Sequence, residues 1–158
     1  MTFTSKLKRV PRSEISYEQD ARYHHNGGWF TGSAVSSQKG ITEEQEFRNG
    51  FRWGPAHAHN AAGTLIMESN FRMDLLYGVQ REWDDDGGLR YEAWYEHGVL
   101  VEEKEWDGRG GLVSHRGPHA PGPHLADMRR RYGTPEQVAK EEEAYRTALG
   151  TSGYVRGL

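Results

Sequence analysis

The sequence contains no cysteine, so disulfides, thiolate metal sites and a cysteine nucleophile are excluded. Long apolar runs are also missing: none approaches the roughly 20 residues of a membrane-spanning helix, and the opening residues have no apolar signal-peptide core. There is no Gly-x-Ser-x-Gly, no phosphate-binding loop and no dinucleotide fingerprint. We therefore expect a cytoplasmic protein that is not an enzyme and that uses no cofactor.

Apolar residues are scarce, and many of those present are aromatic. The chain of 158 residues has the length of one domain. Its mean hydropathy is −0.90, yet it contains 5 Trp, 8 Tyr and 5 Phe, and each such ring can remove roughly 150–250 Å² from water. We expect a thin, aromatic core.

The net charge of −3 is unevenly distributed. The first dozen residues carry only basic charges, on Lys6, Lys8, Arg9 and Arg12. Positions 81–107 instead carry three basic residues against a larger acidic set: Glu82, Asp84, Asp85, Asp86, Glu92, Glu96, Glu102, Glu103, Glu105 and Asp107. A nucleic-acid-binding face needs clustered Lys and Arg, so we expect no nucleic-acid partner.

Much of the chain can be aligned with itself after a shift of 24 residues, which indicates a repeat array. Leu65 falls on Leu89 and Glu68 on Glu92. The same shift backwards finds Ile41, Glu44, Phe47, Gly50, Trp53 and Gly54, and then Tyr17, Asp20, Tyr23, Asn26 and Trp29.

Within each repeat, alternation of apolar and polar residues predicts a half-buried strand, followed by a turn and a return strand. Turns are expected at 48–50, 73–74 and 96–98, with wider ones at 60–63, 84–88 and 107–111. The predicted fold is mainly β: an antiparallel meander of roughly eight to ten short strands. Trp106 follows Trp83 by 23 residues, so a bulge or shortened turn is expected in the last hairpin.

Segments outside the repeats are expected to differ in structure. We predict a basic, partly mobile N-terminal segment over 1–16, four repeats over 17–113, a connector rich in Pro, Gly and His over 114–133, and a tail over 151–158. A short helix is expected over 125–132. Thr134, Pro135 and Gln137 form a capping-box pattern that predicts a C-terminal helix over 134–150, with Gly150 near its end.

The repeat resembles the bacterial MORN-variant family, whose members include YwqK-type antitoxin components. The shared outline is carried by Gly63, Leu65, Glu68, Phe71, Gly78, Trp83, Asp84 and Gly87, and one repeat earlier by Gly40, Glu44, Phe47, Gly50 and Gly54. Glu102 departs from the outline where the fourth repeat should have its second glycine. The resemblance implies a binding protein that is not an enzyme and that is encoded beside toxin genes; related eukaryotic repeats imply membrane attachment or scaffolding.

Three patterns in the sequence are candidates for chemical sites. His57 and His59 share one strand face and could be two metal ligands, but no third ligand is indicated. Asp84 and Asp86 resemble the start of a calcium loop, although Ala93 stands where its closing carboxylate belongs. The Glu44, Glu68 and Glu92 column recurs in every repeat, so we interpret it as structural, pairing with a turn or with Arg48, Arg72 or Arg90. We therefore predict no metal site.

The function predicted is an immunity or antitoxin-like protein that neutralises a toxin by direct binding. The alternative is a scaffold or adaptor at anionic membrane surfaces, using Lys6, Lys8, Arg9 and Arg12. The chain would act as a monomer or homodimer. Trp29, Trp53 and Tyr77 recur at the repeat spacing and form an aromatic column. Such a column most often reflects core packing, but Trp and Tyr are also common binding anchors. The predicted partner-binding residues are Trp29, Trp53, Tyr77, Trp83, Asp84, Asp85, Asp86, Glu102, Glu103, Glu105 and Trp106.

Overall fold

The computed structural model describes residues 7–151. Two compact units are present: Lys8–Ala120, which contains all the strands, and a second unit that contains the chain from Pro121 onwards. We describe each unit by itself.

A ten-stranded sheet dominates the first unit and confirms the predicted mainly β meander. Its strands are β1 (Arg9–Pro11), β5 (Gly32–Gln38), β6 (Ile41–Arg48), β7 (Phe51–His59), β8 (Leu65–Arg72), β9 (Leu75–Leu76), β10 (Gly78–Trp83), β11 (Leu89–Glu96), β12 (Val99–Trp106) and β13 (Leu112–Arg116). From β5 onwards each strand pairs antiparallel with the next, with β9 and β10 both pairing with β8. A smaller antiparallel sheet contains β2 (Ser16–Tyr17), β3 (Tyr23–His25) and β4 (Gly28–Trp29).

From β6 onwards, two kinds of turn alternate along the meander. Two-residue turns have positive φ at both positions, as at Asn49 (51°) and Gly50 (80°), because this geometry matches the twist of the flanking strands. The wider turns begin at Asn60, Asp84 and Asp107. In each of them the side-chain oxygen accepts hydrogen bonds from the backbone N–H groups two and four residues later.

Bulges of different length explain why Trp106 follows Trp83 by 23 residues and not by 24. In the β8–β10 region the pairing moves from Phe71–Leu76 to Glu68–Arg81, so the return segment has two extra residues. In the last hairpin it moves from Tyr95–Leu100 to Trp94–Glu102, with one extra residue. The predicted irregularity is confirmed as a bulge one residue shorter than its counterpart. Glu102 stands where the preceding repeat has Gly78, but in the shorter bulge this position does not have the positive φ that Gly78 has.

The N-terminal region departs from the sequence expectation within the described residues. β1 pairs in parallel with β5, and Val10 and Ile15 are buried. They form the core cluster with Phe30, Ala34 and Phe47, because apolar side chains of this short segment gain more from burial than from remaining in water. The predicted N-terminal segment therefore belongs to the first unit from Lys8 onwards, whereas Lys6 lies outside the described residues.

Further boundaries also differ from those predicted. The first repeat does not form a hairpin of the large sheet: Tyr23–Trp29 lies in the small sheet, and only Gly32–Gln38 joins the large one. At the other end β13 continues to Arg116, three residues beyond the predicted end of the array. His115, assigned by sequence to the connector, therefore lies on a strand.

The second unit contains α1 (Pro123–Tyr132) and α2 (Pro135–Thr151). The predicted capping box is confirmed, because the Thr134 N–H donates to Gln137 Oε1 (2.8 Å) and the Gln137 N–H to Thr134 Oγ1 (3.3 Å). Helix α2 ends one residue beyond the predicted end at Gly150. The rest of the predicted tail lies outside the described residues.

Within residues 7–151, neither helix combines the length and apolar character needed to cross a membrane.

Candidate functional site

A row of acidic and basic residues crosses one face of the large sheet; the two types alternate as far as Lys104. Directly opposite residues on successive strands are Glu44, His57, Glu68, Arg81, Glu92, Lys104 and His115. We call these seven residues the charge row. Opposite charges on neighbouring strands stabilise a sheet by about 0.2–1 kcal/mol per pair, so this row contributes to holding the strands together.

Arg81 makes the closest contacts in the charge row. Its Nε donates to Glu92 Oε2 at 2.7 Å and its Nη1 to Glu68 Oε1 at 2.8 Å. These two hydrogen bonds raise the pKa of Arg81. The expected partners of the glutamate column, Arg48, Arg72 and Arg90, were therefore wrong for Glu68 and Glu92. The guanidinium groups of Arg48 and Arg72 instead lie 4.3 and 5.3 Å from the Trp53 ring centroid.

The opposite face carries an open groove of about 390 Å³. Because successive side chains of a strand point to opposite faces, the neighbours of Arg81 and Glu92 belong to this second face. The lining residues, which we call the acidic groove, are Gln80, Glu82, Arg90, Tyr91, Glu105 and Trp106. The volume lies within the range typical of ligand sites, roughly 300–1,000 Å³, but the groove is wide open and polar.

Hydrogen bonds fix one wall of the acidic groove. The Tyr91 hydroxyl donates to Glu103 Oε2 at 3.0 Å, and Glu103 Oε1 pairs with Arg116. Burial, followed by hydrogen bonds with Tyr95 and Glu103, raises the pKa of Tyr91 well above its ordinary value of 10.0. Tyr91 is therefore a neutral hydrogen-bonding group rather than an acid or base at physiological pH.

Glu82 of the acidic groove lies two residues before the acidic turn that joins β10 to β11. Within residues 7–151, the carboxylates of Glu82, Asp85 and Asp86 form no ion pair, in contrast to those of Glu68 and Glu92. Arg90 lies between the wide turns that begin at Asp84 and Asp107: its Nε donates to the Trp106 carbonyl at 2.9 Å and its Nη1 lies 4.0 Å from Asp84. This corner of the sheet has an uncompensated negative charge.

The structure distributes the predicted partner-binding residues among several places. Trp83, Asp84, Asp85, Asp86 and Trp106 lie at the end of the sheet with the wide turns, together with Glu105 in the acidic groove. Glu102 lies on the charge-row face, where its Oε1 is 2.7 Å from His115 Nε2. Glu103 is buried beneath the hydroxyl of Tyr91.

The aromatic column of Trp29, Trp53 and Tyr77 is far from the acidic groove along the strands, beside the two-residue turns. Trp29 is 56% exposed, yet its Nε1 donates to Asp20 and the Arg22 guanidinium lies 3.6 Å from its ring centroid. Tyr77 packs beside the buried His97 ring, with centroids 4.9 Å apart. These contacts engage Trp29 and Tyr77 within the chain, so the column and the groove are not one site.

The candidate metal patterns are not assembled into ligand clusters. Within residues 7–151, no group of three or more His, Asp and Glu side chains is arranged to hold a metal ion. His57 faces Glu44 and Glu68 in the charge row. Asp84 Oδ1 accepts hydrogen bonds from the Asp86 and Gly88 N–H groups, as a polar turn requires.

Neither a protein-family model nor a curated protein matches this sequence. The geometry of the described residues therefore carries the functional argument.

Gln80, Glu82, Arg90 and Tyr91 are groove residues that were not predicted as partner-binding residues. Their grouping depends on cross-strand register: Glu82 lies opposite Tyr91, and Tyr91 opposite Glu105. Alternation along β10 already placed Gln80 and Glu82 on one face. Arg90 and Tyr91 could have been assigned to the same face only from the register of the two hairpins, which depends on bulge lengths that the sequence does not reveal.

Proposed function

We propose that this chain is a binding protein, not an enzyme, that neutralises a protein toxin by engaging a basic surface of that toxin with the acidic groove and residues 84–86. The observation that carries the proposal is that three carboxylates at one corner of the sheet have no cationic partner among the described residues, although Glu103 and Glu105 on the groove face are paired with Arg116. Carboxylates of the charge row have cationic partners, whereas Glu82, Asp85 and Asp86 have none among the described residues.

Uncompensated carboxylates suit recognition better than they suit folding. Like charges close together oppose folding slightly, but they accelerate encounter with a basic partner and exclude acidic ones. Trp106 adds an aromatic side chain to the groove, and Trp is among the residues most often found as binding anchors. The MORN-variant resemblance supports the toxin as the class of partner.

The first experiment is a pull-down from the native host with the tagged chain, quantified by mass spectrometry and compared with the products of neighbouring genes. We expect one basic protein to be recovered in stoichiometric amount, and its toxicity to be suppressed when this chain is co-expressed. Recovery of only abundant housekeeping proteins would contradict the proposal.

The second experiment tests the groove with the recovered partner. Glu82→Gln combined with Glu105→Gln removes two charges from the groove and should weaken binding at least tenfold while reducing its dependence on salt. Glu43→Gln is the matched control, because Glu43 is exposed on β6 of the same sheet, outside the acidic groove. Equal binding by the double variant and the control would remove the groove from the proposal.

The membrane-scaffold alternative has less support. Arg9 pairs with Glu44, Lys8 Nζ lies 3.2 Å from His25 Nδ1, and Arg12 donates to the Ile15 carbonyl. These groups would have to exchange partners to bind lipid headgroups. Co-sedimentation with anionic vesicles at physiological salt would restore this alternative.

A further inference from the structure

Strand β13 leaves one edge of the large sheet open. It is the last strand in the sheet order, and no further strand pairs with it among residues 7–151. Its first two side chains are apolar and exposed, Leu112 by 54% and Val113 by 61%. An edge of this kind presents unpaired backbone groups to any extended chain that approaches it.

The other edge of the sheet is protected. β1 contains only three residues, among them Pro11, which has no N–H to donate, and the charged Arg9. Short strands, proline and charge are the usual means by which proteins prevent edge pairing. β13 has five residues and no proline, and its arginine, Arg116, is paired with Glu103 and Glu105 of its own chain. Head-to-tail addition of β13 to β1 is therefore disfavoured, whereas pairing of two β13 edges is not.

We propose that β13 is a homodimer interface, in which two copies of the chain join their sheets by antiparallel pairing of β13 with β13. A twofold axis through Ser114 pairs all five residues. It sets Ser114 opposite Ser114 of the second copy, Val113 opposite His115 and Leu112 opposite Arg116.

The side-chain pattern of β13 is compatible with itself, which makes a second copy a suitable occupant of this edge. In this register no basic residue faces its own counterpart, and Arg116 is already compensated by Glu103 and Glu105. Leu112 and Val113 lose exposure against side chains of the second copy. The arrangement is isologous and closes after two subunits, so it removes both open edges without forming a filament.

Sedimentation of the full chain over a concentration series tests the dimer. We expect the wild-type mass to rise from that of the 18.0 kDa monomer towards twice that value. Val113→Lys should remain monomeric, because an edge lysine opposes pairing. Ile41→Lys is the matched control: Ile41 is exposed by 39%, but its strand is paired on both sides. A monomeric wild-type chain at all concentrations, or a dimeric Val113→Lys variant, would overturn the proposal.

Cysteine cross-linking tests the register independently. The chain has no native cysteine, and directly opposed residues of antiparallel strands have Cα atoms about 4.5–5.5 Å apart, which a disulfide can span. Ser114→Cys should form a covalent dimer on mild oxidation, and Ile41→Cys should not. If Val113→Cys forms the dimer and Ser114→Cys does not, the proposed register is wrong. If an extended segment of another protein occupies β13, both cysteine variants stay monomeric and the proposal fails.

Discussion

Asp107 and Asn60 occupy the same position in two wide turns, and they perform the same task with different charge. Hydrogen bonds from the Gly111 and Arg109 N–H groups lower the pKa of Asp107 below its ordinary value of 3.8. Asn60 Oδ1 accepts the equivalent bonds from Ala62 and Thr64 without any charge. The chain therefore contains its own neutral reference for this carboxylate.

We expect Asp107→Asn to change the pH dependence of the free energy of unfolding while leaving the geometry of the turn largely unchanged. Because the folded pKa is lowered, the carboxylate contributes stability above its unfolded pKa, and this contribution is lost as the pH falls through the folded value. The wild type should therefore be more stable than Asp107→Asn at neutral pH, and the difference should disappear in acid. Urea denaturation at a series of pH values measures it.

The reverse substitution, Asn60→Asp, is the control for that experiment. Its gain in stability at neutral pH should be smaller than the contribution of Asp107: the same two N–H groups are available to a carboxylate, but the Asn60 Nδ2 bond to Asp85 Oδ1 (3.4 Å) is lost and two carboxylates are brought together. A pH-independent difference for either variant would show that the charge of the turn residue is immaterial.

At the scale of the hairpin, a glycine sets the shape of the longer bulge. Gly78 has φ of +102°, a conformation that strains any residue with a Cβ atom. We expect Gly78→Ala to lower the free energy of unfolding by about 1–2 kcal/mol. A Cβ there would be 3.7 Å from Asn70 Cβ, an ordinary contact, so the loss would arise from the backbone.

Gly108→Ala is the matched control for the bulge. A Cβ at Gly108 would lie 3.5 Å from Arg90 Nη1, and its φ is not in the positive range. Its effect should stay within about 0.5 kcal/mol. Equal unfolding midpoints for the two variants would contradict the role of positive φ in the bulge.

The hairpins themselves could be predicted because their signals are local. Asn49-Gly50 requires two positive φ values, and the flanking alternation requires strands, so turn and strands indicate the same structure. The partners of Glu68 could not be found in this way. Arg81 lies opposite Glu68 only because the return segment has two extra residues, and the number of residues in a bulge has no local signature.

Closure of the N-terminal end also depends on contacts that are remote in sequence. β1 contributes only three residues, and its pairing with β5 is parallel. Val10 is a single apolar residue among basic ones, so alternation could not identify a strand there. Its burial depends on Phe30 and Phe47, which the turn at Asn49-Gly50 brings into the same cluster.

The whole molecule combines a wide sheet with a small apolar core. The buried apolar residues of the described chain beyond the N-terminal cluster are Ala58, Ala93, Leu125 and Val138. Cross-strand pairs such as those of Arg81 must therefore carry a larger share of stability than in a two-layer protein.

Two sheets joined at β13 would also present both acidic grooves on the same face, because the twofold axis would be perpendicular to the sheet.

This distribution of burial predicts an unusually small heat-capacity change on unfolding. Exposure of apolar surface raises the heat capacity and exposure of polar surface lowers it, giving about 12–15 cal/mol/K per residue in ordinary domains. We expect a value clearly below about 12 cal/mol/K per residue, measured by calorimetry as the slope of unfolding enthalpy against midpoint temperature as the pH is varied. An ordinary value would require far more buried apolar surface than the sheet contains, and would contradict a fold stabilised chiefly by strand pairing.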